Sequence, residues 1–142
     1  MWRYLFVPVV TVMLAVLLAS VGCNPHEWST VPVSGVVTVK GKPVPGVMVT
    51  FQPLGEGKLN TGPGSFAYTD SNGEYKLKTF LTDENGAVVG KGIVRIRYDD
   101  PDDIDSKQLE ELNKKRVLLP PNLKPIEFEV PEGGTSTANF EL

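Results

Sequence analysis

Five aspartates fall within seven residues in the C-terminal half of this 142-residue chain: Asp99, Asp100, Asp102, Asp103 and Asp105. Carboxylate oxygens on mobile chain are the ligands Ca²⁺ takes, so the run is a candidate calcium site. The preferred reading is a solvated loop whose like charges repel and keep it extended. Two shorter stretches, TDSNG at 69–73 and TDENG at 82–86, set Asp and Asn oxygens beside a glycine. An EF-hand loop needs further spaced oxygens and a glutamate at its twelfth position, and neither copy supplies them. Both are expected to be Asx-type turns, in which the side chain bonds backbone two residues on.

Other chemistry is thinly provided. The only histidine is His26 and the only cysteine is Cys23. One histidine in a polar, proline-containing stretch does not make a metal site or a catalytic dyad. There is no Gly-x-Ser-x-Gly elbow. GEGKLNTGPGS at 55–65 lacks the Lys-Ser or Lys-Thr ending of a phosphate loop and reads as a hairpin loop. No catalytic residue, cofactor or resident metal is assigned, and the chain is expected not to be an enzyme. The net charge is −3, and −4 once the first 22 residues, with Arg3 as their one charge, are set aside. No basic patch marks a nucleic-acid binder.

What, then, is a lone thiol for? Residues 4–22 carry no charge, and the densest apolar part is VVTVMLAVLL at 9–18. A positive start, a short apolar run and the small residues Ala19, Ser20 and Gly22 describe a secretory signal peptide. With Cys23 directly after them, the segment resembles the lipobox of bacterial lipoproteins. Gly22 and Val21 fit that pattern, while Ser20 stands where leucine is usual and Leu18 lies two residues too early. The resemblance implies cleavage before Cys23, a diacylglyceryl group on its sulfur and a fatty acyl group, such as palmitate, on its amine. Two or more acyl chains hold a protein stably on a membrane. Two other readings stay open: an ordinary cleavage site with an incidental cysteine, and an uncleaved anchor whose uncharged stretch approaches the span of a bilayer. The expected organisation is a signal peptide at 1–22, lipidated Cys23 and a linker to residue 32, and one domain at 33–142. That places the protein outside the cytosol, on a bacterial membrane in the cell envelope. Trp28, in the linker, fits either the headgroup layer or a packed position on the domain.

From Val33 the pattern has period two. Val33, Gly35, Val37 and Val39 share a face; so do Val47, Val49 and Phe51, with Met48 and Thr50 opposite. Phe66 and Tyr68 alternate, then SNGE gives an Asn-Gly hairpin signal. Tyr75, Leu77 and Thr79 follow, then Val94, Ile96 and Tyr98 against Arg95 and Arg97. Ile126, Phe128 and Val130 stand against Glu127 and Glu129, and Phe140 and Leu142 close the chain. Seven short alternating runs separated by Gly, Pro, Asn and Asp predict an all-β, antiparallel sandwich or barrel. One exception lies in the long crossover at 99–123. There SKQLEELNKKR, with Leu109 and Leu112 three apart and Glu110 four before Lys114, predicts a short surface helix.

VSGVVTVKGKPVPGVMVTFQP, YTDSNGEYKLKT, GAVVGKGIVRI and FEVPEGGTSTANFEL occur in that order. Together they resemble the carboxypeptidase-regulatory-like, transthyretin-like domains over residues 33–142. The resemblance implies a seven-stranded sandwich with a hairpin at TDSNG and a closing hairpin at the C-terminus. Gly92 departs from it, standing where an aromatic or histidine is common, and is expected to mark a bulge. Domains of this class usually act as accessory or adhesive modules, so no catalytic residue carries over. Transthyretin-like ureide hydrolases use histidines and a Tyr-Arg-Gly-Ser ending; this chain ends ANFEL. The expected function is a non-catalytic, membrane-anchored sandwich that binds an envelope protein or glycan or plays a structural part there. The alternative is a calcium-dependent accessory or adhesion subunit of a larger surface assembly.

Overall fold

A computed structural model of the protein describes residues 28–57 and 60–142. The expected signal segment at 1–22, Cys23 and His26 lie outside the described residues.

Eleven strands and one helix occur among the described residues. β1 (Thr30–Val31) pairs with β8 (Ala87–Val88). A five-stranded antiparallel sheet runs in the order β10 (Ile126–Val130), β9 (Gly90–Tyr98), β4 (Val47–Pro53), β5 (Ser65–Tyr68), β7 (Lys78–Thr79). A four-stranded sheet is built on β2 (Ser34–Val39), which pairs with β11 (Phe140–Glu141), β3 (Lys42–Pro43) and β6 (Glu74–Lys76). Helix α1 (Ser106–Lys115) lies in the crossover between β9 and β10. The sheets pack on one another around a single cluster that includes Val37, Val39, Val49, Phe51, Tyr75, Val94, Ile96 and Phe140. The architecture is therefore predominantly β, with sandwich-like packing.

The alternation puts most side chains where the sequence predicts. β-Branched residues suit a half-buried pleated surface, and Val33, Gly35, Val37 and Val39 are all buried. In β9, Val94 and Ile96 point in and Arg95 and Arg97 out. The turn after β2 has positive φ at both Lys40 (49°) and Gly41 (75°), the geometry of a two-residue hairpin loop.

Five expectations fail, each for an identifiable reason. First, Met48 is buried rather than outward. It lies on the outer face with Tyr68 and Arg97 as its register neighbours, and those long side chains flank it. Second, β5 presents Ser65 and Ala67 to the core, leaving Phe66 half-buried and Tyr68 exposed. The register sets Ala67 opposite Val49 and Ser65 opposite Phe51, so small residues face large ones, and a one-residue shift in face exchanges the whole set. Third, the Asn-Gly stretch does not close a hairpin: β5 lies in the five-stranded sheet and β6 pairs with β2 in the other. The turn carries the chain between sheets, and only Gly73 of the pair has positive φ (73°). Fourth, the C-terminal stretch is no hairpin either. β10 stays with β9, while β11 crosses over and pairs with β2 in parallel. Fifth, Gly92 marks no bulge, since the registers on both sides of β9 run unbroken through it. A Cβ there would lie 2.3 Å from the Phe51 ring, so the missing side chain makes room for Phe51. Of the four strands beyond seven, β7 arises because the run 74–79 splits between sheets, and β1, β3 and β8 are two-residue pairings outside the seven runs.

Candidate functional site

The antiparallel register gives the five-stranded sheet two distinct ends. At one end β4 finishes, β5 begins, β7 finishes, β9 begins and β10 finishes, with Phe51 opposite Ser65, Ser65 opposite Thr79 and Gly90 opposite Val130. The chain joins the fold at this end, through Trp28 and β1. At the other end β9 runs out at Tyr98 into the aspartate run and α1.

At the aspartate end most of the candidate carboxylates are committed to structural bonds. Asp99 accepts from the Tyr68 hydroxyl at 2.6 Å, and that bond, first among its causes, raises the Tyr68 pKa. Asp100 takes a two-pronged ion pair from Arg116, at 2.6 and 3.0 Å. The guanidinium holds the Asp100 carboxyl below the usual carboxylate range. The same guanidinium lies 3.9 Å from the centre of the Tyr98 ring, whose hydroxyl donates to the Val117 carbonyl at 2.9 Å. Asp105 caps α1: its carboxylate accepts from the Gln108 amide at 2.8 Å, and the Gln108 side chain accepts in return from the Asp105 amide. This capping box satisfies donors that the helix leaves free, and it explains why α1 starts at Ser106. Asp102 and Asp103 are exposed. Among the described residues no group of three or more His, Cys, Asp or Glu is placed to hold a metal.

The stretch at 69–73 forms the expected turn, but that at 82–86 does not: the chain turns at 80–82, and Asn85 bridges back to Lys78 as extended chain. Asp70 accepts through Oδ1 from the amides of Asn72 (2.8 Å) and Glu74 (3.0 Å), which commits the carboxylate to holding the turn. Asp83 pairs with Lys78 at 2.6 Å, and Thr82 and Thr79 bond each other through their hydroxyls.

The opposite end holds Trp28, for which the sequence left two places open, and other features the sequence did not single out. Trp28 packs on the domain, against Gly62 and Val88; a Cβ on Gly62 would lie 2.7 Å from its ring. Beside it is a cavity of about 430 Å³, with Asn60, Thr61 and Val89 in its wall and the Lys91–Glu56 ion pair (3.2 Å) at its rim. Thr30 and Val31, in the stretch expected to be linker, pair in register with Val88 and Ala87. Nearby, Phe80 stacks on Phe66, with ring centres 4.6 Å apart, on the outer face of the sheet. Lys78 lies 5.2 Å from the Phe66 ring centre. This cluster exists because β5 is turned inside out relative to its apolar pattern, and nothing in that pattern alone would reveal it.

The arrangement offers a cavity, aromatic surface and a sheet edge, which are means of binding. No helix among the described residues is long and apolar enough to cross a membrane. Set against models of protein families, curated proteins and solved structures, the chain matches none.

Proposed function

We propose that this protein is an exported, lipid-anchored binding module. Cys23 carries the lipid, and a transthyretin-like sandwich of the carboxypeptidase-regulatory type is held outside the cytosol to bind envelope partners, with no catalysis of its own. One observation carries the reading. The chain's single cysteine and single histidine both precede Trp28, so the folded domain contains neither residue type. A thiol that precedes the domain in the sequence, directly after an apolar run and small residues, suits acylation rather than packing or catalysis. The five-residue edge strand β10 leaves one side of its backbone open, which supports strand addition as a route to a partner.

Intact-mass analysis of the membrane-extracted protein, beside a Cys23→Ser variant, tests this. The parent is expected to begin at Cys23 with diacylglyceryl and acyl mass added and to enter the detergent phase. The variant is expected to keep its N-terminal segment and gain no lipid. A free thiol in the parent, with both proteins partitioning alike, would overturn the proposal.

A further inference from the structure

Two leucines and a phenylalanine stand out from the end of the sandwich where the chain joins it. Leu81 is 78% exposed, Phe80 57% and Leu54 52%. Phe80 and Leu81 directly follow β7, and Leu54 directly follows β4. Those strands are two places apart in the sheet, with β5 between them, so the two loops emerge about 10 Å apart at the same end. The Phe80 amide donates to the Gly64 carbonyl, and Trp28 packs on Gly62 two residues earlier. The exposed apolar loop therefore lies beside the place where the N-terminal segment meets the fold. Large apolar side chains grouped on a surface mark a docking site rather than ordinary exposure.

We infer that this end of the sandwich, led by Phe80 and Leu81, docks into the surface of the membrane that holds the protein. The inference rests on the anchoring through Cys23 proposed above. Four residues separate Cys23 from Trp28, and the five steps between them reach at most about 18 Å. A sulfur held by lipid thus keeps this end of the domain close to the bilayer. Aromatic and aliphatic side chains favour the zone between headgroups and acyl chains; Leu81 stands clear to enter it, and Phe80, stacked on Phe66, presents the open face of its ring beside it. The other end is unsuited to that contact. Its exposed Leu112 and Leu118 share the crossover with five aspartates, Glu110 and Glu111, whereas the loops at the docking end carry Glu56, Asp83 and Glu84, with Glu56 paired to Lys91 and Asp83 to Lys78; carboxylates resist transfer out of water. The docked domain stands with the aspartate end and α1 pointing away from the lipid, which leaves them free to meet partners.

The test uses the full-length lipidated protein with Leu81→Cys, whose new thiol is the only one free once Cys23 is acylated. A nitroxide at position 81 is compared with one introduced by Asp103→Cys, in vesicles of phosphatidylethanolamine and phosphatidylglycerol. Collision with oxygen and with a water-soluble nickel chelate reports depth. Docking predicts that label 81 loses nickel access and gains oxygen access on reconstitution, while label 103 stays open to nickel. Adding Phe80→Ser should restore nickel access at 81. If Cys23 bears lipid and both labels remain equally open to nickel, docking is overturned and anchoring stands. If label 81 is shielded in native envelope fragments but not in vesicles, a protein covers this end and docking is again overturned. Intact mass without lipid on Cys23 overturns the anchoring and the docking with it.

Discussion

The Tyr75 hydroxyl is buried between β6 and the segment leading to β11, where it donates to the Ala138 carbonyl at 2.6 Å. Burial drives its pKa well above the ordinary phenol value. A raised folded-state pKa means that this contribution to stability is complete below the unfolded value of about 10 and is lost as pH rises beyond it. Tyr75→Phe leaves the Ala138 carbonyl without its donor, at a cost of about 1–3 kcal/mol. Urea denaturation at neutral pH should show that loss. The variant should also lose stability less steeply than the parent above pH ~10, though Tyr68 and Tyr98, both raised as well, keep some alkaline slope. Ser65 presents the reverse case. Its fully buried Oγ has no hydrogen-bond partner among the described residues, so Ser65→Ala removes a stranded polar atom at almost constant volume. The melting temperature is expected to hold or rise, by the equivalent of up to about 1 kcal/mol. A clear drop would mean that the hydroxyl is satisfied. Of these two residues, only the burial of Tyr75 could be read from the chain. Its acceptor lies 63 residues away, and Ser65 sits on the face that apolar alternation assigns to solvent.

The crossover between β9 and β10 is fastened to the sheet by Asp100, Arg116 and Tyr98 together. Arg116 follows α1 directly, so its pair with Asp100 closes the aspartate run and the helix into one loop. The Asp100 pKa is depressed, first by its bond to Arg116. The associated stability is therefore present above the unfolded carboxyl value of about 3.9 and is lost as pH falls through the lower folded value. Because both side chains remain partly exposed, solvent screening limits the pair to about 1 kcal/mol. Asp100→Asn should cost that much at pH 7 and flatten the acid limb of a pH-stability curve. Hydrogen exchange should quicken in α1 before it does in the sheets. Millimolar Ca²⁺ should leave the parent's melting temperature unchanged, because Asp99, Asp100 and Asp105 already have partners and no three acidic groups converge among the described residues. A rise of several degrees would revive the calcium reading. The helix itself was legible, since leucines three apart and a Glu-Lys pair fix its face; Lys114 indeed reaches Glu110 at 3.3 Å. The fastening was not, because an Arg-Asp pair 16 residues apart leaves no periodic trace.

Period-two alternation states which side chains face inward, and for β2, β9 and β10 that was enough. It does not state which sheet a strand joins. The run 74–79 alternates without interruption, yet β6 pairs with β2 and β7 with β5, so one inward face serves both sheets. Likewise Phe140 was legible as buried, while its parallel pairing with Val37 depends on a crossover that no local pattern encodes. The two sheets consequently share one core and cannot be dismantled separately. Phe51 tests this. It is 1% exposed, projects from β4 into the common cluster, and has the Gly92 backbone against its ring. Phe51→Ala should cost about 3–5 kcal/mol, a large share of the roughly 5–15 kcal/mol that holds a domain of this size. The loss should appear as one earlier transition, not two. Amide exchange should accelerate by a similar factor at Val37 in the four-stranded sheet and at Val94 in the five-stranded one. If Val37 kept its protection while Val94 lost it, the sheets would be separate folding units. The strand that crosses between them at 74–79 would then be a linker rather than part of a common core.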